Sequence, residues 1–334
     1  MISINDVARK VGVAKSTVSN ALTGKKYVSP ELKEKVLKAC KELDYTPNFY
    51  ASSLSLSERK THIIAILLEY RSDMEEHSFY GDLVISSLAT AAKKKYSVLL
   101  FTNDDNEVLM KYLKYGKAPI DGAILLTPNI DDDRLKEIQN SSIECVIIGR
   151  PGRGIHYDYI DIDNYNLTRE VAEMLSKNYK EVYLLNASSK LTITEDRKHG
   201  FFDSFSEEDR VNASKYYIEN LEGVIEEGYQ LGLKYAKEDV AFITCNSRVA
   251  VGLYKAIHDK GLKVGSDVGV FALGKSHNDQ LVGPKLSYAI QDYKIMGRRA
   301  TEMLIDKLEK KDCTHCVLIK SKWKITDSIR KIKD

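Results

Sequence analysis

Apolar residues recur at helical spacing over the first forty-odd positions and then change period. Val7, Ala8 and Val11 share one helical face, as do Val18, Ala21 and Leu22, and again Leu32, Val36, Cys40 and Leu43. Each run has its own boundary signal. Ser3 with Asp6 reads as a capping box, and Gly12-Val13 breaks the pattern before a second helix over residues 15–22. Ser29-Pro30-Glu31 supplies a cap, a first-turn proline and an acid at the positive helix end. Two short helices around a glycine turn, with a third across them, predict a helix-turn-helix over residues 1–46. Pro47 ends the third helix, because the residue before a proline avoids the helical region. One more short helix fits residues 49–56 and a polar linker follows, so residues 47–61 read as a hinge and linker.

From His62 the pattern is that of buried strands alternating with helices. Strands are predicted over residues 63–68, 98–101, 123–126 and 146–148, with helices over 83–94, 108–114 and 133–140. The alternation resumes with strands at 182–185, 240–244 and 268–271, and short ones at 317–319 and 323–325. Such alternation predicts parallel sheets in a doubly wound α/β fold, and residues 62–334 are too many for one sheet, so two lobes are expected.

Composition adds limits. With 43% hydrophobic and 29% charged residues the chain is of ordinary globular type, and no apolar run of about 18 residues exists to span a membrane. The start lacks an apolar stretch of signal-peptide kind, and the five cysteines are scattered, so a reducing, cytoplasmic location is expected. Charge is uneven. Residues 1–61 hold eleven Lys and Arg against six Asp and Glu; that segment carries +5 of a total of +2 and leaves the body at −3. A basic first segment is suited to a polyanion. Its second helix presents Lys15, Ser16, Thr17, Ser19 and Asn20 outward. Small polar side chains let a helix sit deep in the major groove while hydroxyls, an amide and an ammonium reach base edges and phosphates.

At this point the residues resemble the LacI/GalR family of bacterial repressors across the whole chain. The N-terminal match comprises Ile4-x-Asp6-Val7-Ala8, Gly12-Val13, Ser16-Thr17-Val18-Ser19, Val28-Ser29, Leu43-x-Tyr45-x-Pro47-Asn48 and Ala51-x-x-Leu54. In the body, Ser78-Phe79-Tyr80, Asp161–Asn164, Arg197-x-x-Gly200-Phe201, Asn246-x-x-x-Ala250-x-Gly252 and Met296-Gly297-x-x-Ala300 look like family landmarks. The resemblance implies a homodimer on a pseudo-palindromic operator and a periplasmic-binding-protein-like core. Its first lobe would span about 62–160 and 292–320, its second about 161–291 and 321–334. It adds Tyr45, Asn48, Ala51 and Leu54 to the DNA contacts, with Leu54 as an apolar wedge that kinks the minor groove.

The same resemblance implies a small-molecule effector, a sugar first, bound between the lobes. Arg197 and Asn246 are the leading contacts, since a guanidinium and an amide give fork-like hydrogen bonds to hydroxyls or carboxylates. Tyr70, Phe79, Tyr80 and Gln291 follow, and Arg150 and Lys275 are candidate counter-charges. There are departures. Asn20 stands where many members carry Arg, Ala14 where a capping Ser is common, and Ser247 where Asp is common. Gly274 falls where sugar-responsive members usually carry a pocket acid, which makes a phosphorylated sugar or other small anion the next candidate.

Other motifs carry less. Cys313-Thr314-His315-Cys316 cannot complete a four-ligand zinc site alone. Gly149-Arg150-Pro151-Gly152-Arg153-Gly154 lacks the phosphate-loop lysine pattern. No nucleophile elbow, HExxH or paired catalytic carboxylates appear, so neither an enzyme nor a cofactor is expected. A solute-binding protein of a transport system would share the two-lobed body but not the helix-turn-helix.

Overall fold

The computed structural model describes residues 2–23, 26–45, 60–68, 78–102, 120–141, 143–274, 283–312 and 315–331. The chain divides into two units, Met1–Thr61 and His62–Asp334. In the first, three helices form: α1 (Ile4–Val11), α2 (Lys15–Thr23) and α3 (Pro30–Glu42). The Asp6 carboxylate closes the start of α1 by accepting from both the Ser3 amide (2.9 Å) and its hydroxyl (2.7 Å). Gly12 ends it in the left-handed region at φ 76°, where a side chain would be strained. Ser29 caps α3 by accepting from the Leu32 amide at 3.3 Å. The three apolar stripes meet in a small core of Val7, Ala8, Val18, Ala21, Val36, Ala39 and Cys40.

The second unit holds two six-stranded sheets. The first has the order β11-β5-β4-β3-β1-β2 and is wholly parallel. Its strands are β1 (Ile63–Leu67), β2 (Ser97–Phe101), β3 (Gly122–Leu126), β4 (Glu144–Ile148), β5 (Asp158–Ile162) and β11 (Cys316–Ile319). Helices α4 (Ser78–Lys93) and α5 (Asp133–Gln139) connect its strands. The second sheet has the order β12-β10-β9-β8-β6-β7, parallel except where β12 (Lys322–Lys324) runs against β10 (Ser287–Ile290). The others are β6 (Glu181–Ala187), β7 (Tyr217–Leu221), β8 (Val240–Thr244) and β9 (Val268–Ala272). Helices α6 (Asn164–Ser176), α7 (Thr192–Phe202), α8 (Glu207–Ala213), α9 (Ile225–Tyr235) and α10 (Ser247–Asp259) belong to this lobe, and α11 (Tyr293–Leu308) returns to the first sheet, packing on β3, β4 and β5. β1, β3, β8 and β9 are buried at every position, because helices cover both faces of a doubly wound sheet and leave no polar side.

The chain crosses between lobes three times: after β5, after β10 and between β11 and β12. Three strands were not expected from the sequence: β5, β7 and β10. β5 reads Asp-Tyr-Ile-Asp-Ile and β7 lies at a sheet edge with only Leu221 buried, so neither shows a continuous apolar run. α4 starts at Ser78, five residues before the expected Leu83. The helices expected over 108–114 and 49–56 lie outside the described residues.

Candidate functional site

Both sheets end, at their carboxyl edges, on one cavity of about 180 Å³ between the lobes. This is where loops of an open α/β sheet diverge and leave a crevice. The first lobe contributes Leu126, Thr127 and Pro128 after β3, Ile148 and Gly149 after β4, and Asp161 and Ile162 from β5. Tyr80 and Leu83 of α4 and Tyr293 and Met296 of α11 close that side. The second lobe adds Ala187, Leu191 and Arg197 around β6 and α7, Leu221 to Gly223 after β7, and Cys245 to Ser247 after β8. The walls are largely apolar, with a few convergent polar groups, as small-molecule sites usually are.

Arg197 is the central cation. It is 4% exposed, and its Nε donates to Asn164 Oδ1 at 3.2 Å. Burial pulls its pKa down, against the opposing influence of Cys245, Tyr293 and Asp161. Asp161 is buried as well, and desolvation pushes its carboxyl up to about 6 although backbone donors and Arg197 oppose the shift. Its Oδ2 accepts from the Arg150 amide at 3.0 Å and its Oδ1 from the Ile162 amide at 2.7 Å. Burial also pushes the Cys245 thiol up to about 11, so it stays protonated and is no nucleophile at neutral pH.

The other expected effector residues fare differently. Asn246 lines the cavity, but its Oδ1 caps α10 by accepting from the Val249 amide at 3.0 Å and its Nδ2 donates to Gly223 O at 3.0 Å. Gln291 also lines it, with Nε2 donating to Leu273 O at 2.6 Å and Oε1 accepting from the Tyr293 hydroxyl. Tyr80 is at the wall, 8% exposed. Arg150 is not among the cavity residues: its guanidinium turns to Asp196 on α7, an ion pair from one lobe to the other. Arg153 pairs with Glu195 of the same helix at 2.8 Å. The glycine-rich segment is thus an inter-lobe loop. Gly149, at φ 111°, leaves no room for a side chain, since a Cβ would meet Pro128 Cδ at 2.6 Å. Tyr70 and Lys275 lie outside the described residues, as does the side chain of Phe79.

Sequence reasoning missed Thr127, Asn164, Tyr293 and the apolar walls. Thr127 carries a signal only in three dimensions. Its φ is 48°, uncommon for a β-branched residue, and its hydroxyl is buried with no hydrogen-bond partner. Counting the residues just beyond each predicted strand's carboxyl end would have found it.

On α2, Lys15 and Ser16 are exposed and Thr17, Ser19 and Asn20 partly so, while Val18 points inward. Tyr45 packs against the core of this unit rather than standing free. Asn48, Ala51 and Leu54 lie outside the described residues. Beyond the cavity, His315 meets Asp158 at 2.9 Å and Cys316 is exposed; Cys313 is outside the described residues.

Comparison with known proteins agrees with both units. Residues 3–48 match the family described as bacterial regulatory proteins, lacI family, and residues 171–329 match the periplasmic binding protein-like domain. The HTH-type transcriptional regulator RegA of Clostridium saccharobutylicum is 28% identical over 320 residues, which covers 93% of each chain. Among solved structures, the lac repressor dimer bound to operator and an anti-inducer is similar with a TM-score of 0.78 at 18% identity, over 99% of both chains. A transcriptional regulator CelR–cellobiose complex is similar with a TM-score of 0.70 at 20% identity, over 98% of this chain and 100% of that one. The chain thus carries a lacI-family helix-turn-helix domain at residues 3–48, ahead of a two-lobed, periplasmic-binding-protein-like body.

Proposed function

We propose that this protein represses transcription by binding a pseudo-palindromic operator as a homodimer, and that a small molecule in the inter-lobe cavity controls that binding. The carrying observation is the outward polar face of α2 in a lacI-type domain, on the same chain as a cavity at the carboxyl ends of two sheets. Lys15, Ser16, Thr17, Ser19 and Asn20 read the major groove. Tyr45, Asn48 and Ala51 contact the backbone or groove beside it, and Leu54 is the minor-groove wedge. The relatives are transcriptional regulators, and the protein acts by binding alone, in the cytoplasm where the operator is. The solved relative that holds cellobiose supports a sugar-sized effector, with Arg197 and Tyr80 as contacts and Asn246 and Gln291 shaping the walls.

Fluorescence anisotropy with labelled DNA from upstream of the gene tests this. The full chain should bind, with affinity falling about 10³-fold or more between 50 and 200 mM salt as phosphate counterions are released. A fragment of residues 62–334 should not bind. Retention of binding by that fragment would end the assignment of the N-terminal unit.

A further inference from the structure

The nitrogen- and oxygen-bearing side chains buried around the cavity are nearly all engaged by the protein itself. The Asp161 carboxylate accepts from two backbone amides, with the Asn164 amide at 3.5 Å besides. Asn246 and Gln291 each use both ends of the amide. The Thr192 hydroxyl donates to Pro128 O at 3.4 Å. A pyranose carries a hydroxyl on most ring carbons, each a donor that needs an acceptor, and few acceptors are left for it here.

Two groups among the described residues stand apart. The Thr127 hydroxyl has no partner. The terminal nitrogens of Arg197 have no acceptor: its one hydrogen bond runs from Nε to Asn164, and Asp161 aims its oxygens at backbone donors instead of the guanidinium. A guanidinium this buried stays charged, and leaving its terminal donors without an acceptor is costly even with the Asp161 charge nearby. Gly274 adds to the picture. It is not in the left-handed region, and among the described residues a Cβ there would meet only the Tyr293 hydroxyl, at 3.8 Å. Position 274 itself presents no side chain, so no carboxylate at that position opposes an anion.

We infer that the effector carries a carboxylate, seated on the planar fork of Arg197, with a monosaccharide-sized body against the apolar walls and one hydrogen bond to Thr127. This deepens the regulatory reading and rests on the cavity being the effector site. A carboxylate fits better than a phosphate. The fork matches its two oxygens, and Arg197 is the one cation among the described lining residues, beside the acids Asp161 and Glu222, which disfavour a dianion.

The test is thermal unfolding of the full chain with matched ligands: D-glucose, D-glucuronate and D-glucose 6-phosphate, and the same three forms of D-galactose. A carboxylate form should raise Tm by about 5 °C at about a hundredfold excess over its Kd, with little effect from its neutral or phosphorylated counterpart. Arg197→Met should abolish the rise. Arg197→Lys, which keeps the charge but loses the fork, should weaken it at least tenfold while keeping the preference for the acid. Gly274→Asp, for which the described neighbours leave room, should abolish acid binding. The proposal is overturned if no acid shifts Tm more than its neutral form, if only the phosphates do, or if the shift survives Arg197→Met. An acid that binds through Arg197 yet leaves operator affinity unchanged would leave the pocket chemistry standing and refute the regulatory reading instead.

Discussion

Asp161 is the carboxyl whose ionisation the fold opposes most clearly among the described residues. Its carboxyl rises from 3.8 to about 6 because burial penalises the charge more than two backbone amides and Arg197 favour it. The folded state therefore takes up a proton near pH 6 that the unfolded chain takes up only near pH 4. Stability should accordingly fall as pH rises from about 4 to about 6 and level off above, by roughly 3 kcal/mol for a shift of about two units. Asp132, Asp239 and Asp267 have lowered values, so their contributions are lost only below the ordinary carboxylate range and do not mask this window. Urea unfolding of wild type and Asp161→Asn between pH 4 and 8 checks it. A wild-type slope absent from the variant is expected; equal slopes would place the titrating group elsewhere. Gly149 gives a second residue-scale expectation. Alanine there meets both a positive φ and Pro128, and should destabilise by about 1–3 kcal/mol in the same assay.

At the scale of elements, the first turn of α7 joins the lobes. Asp196 and Glu195 receive Arg150 and Arg153 from the loop after β4, the Ile130 amide donates to Lys190 O at 2.8 Å, and Asn129 pairs with Leu191. The Arg153 pair is exposed and contributes little. The Arg150 pair has one buried partner, Asp196, while Arg150 itself is 42% exposed. Arg150→Ala should cost about 1–2 kcal/mol after allowance for solvent screening, and should loosen the lobes, read as an increased radius of gyration in small-angle scattering. An unchanged radius would show that the backbone contacts alone hold them. The sequence made Arg150 a candidate ligand contact because charge in a loop after a strand says nothing about which way the side chain turns. The three N-terminal helices, by contrast, were legible almost to the residue, because the apolar positions within each, around Val7, Val18 and Val36, follow helical spacing and Ser3, Gly12 and Ser29 mark the ends locally. Arg197 was legible as a pocket residue; the engagement of Asn246 and Gln291 was not, because a cap on α10 and a bond to Leu273 O depend on how distant strands align. Leu54 remains the element-scale expectation for DNA. Leu54→Ala should lower specific operator affinity by about 1–3 kcal/mol and spare non-specific binding, with unchanged circular dichroism.

For the molecule as a whole, control requires that cavity and operator bias the same equilibrium. The three crossings between lobes are the places where closure can change the backbone, and a ligand that prefers one arrangement shifts the population toward it. The coupling is reciprocal: whatever factor the effector applies to operator affinity, about 5–150-fold in typical cases, operator DNA must apply to effector affinity. The proposed homodimer would set the form of the DNA site, because a two-fold protein repeats its contacts on an inverted sequence. In vitro selection of genomic fragments by the full chain, followed by alignment of the enriched sequences, reads this directly. One inverted repeat of two half-sites is expected, lost from the selected pool when Lys15, Thr17 and Asn20 are replaced by alanine. Enrichment of no sequence, or of a single half-site without its inverted copy, would contradict it.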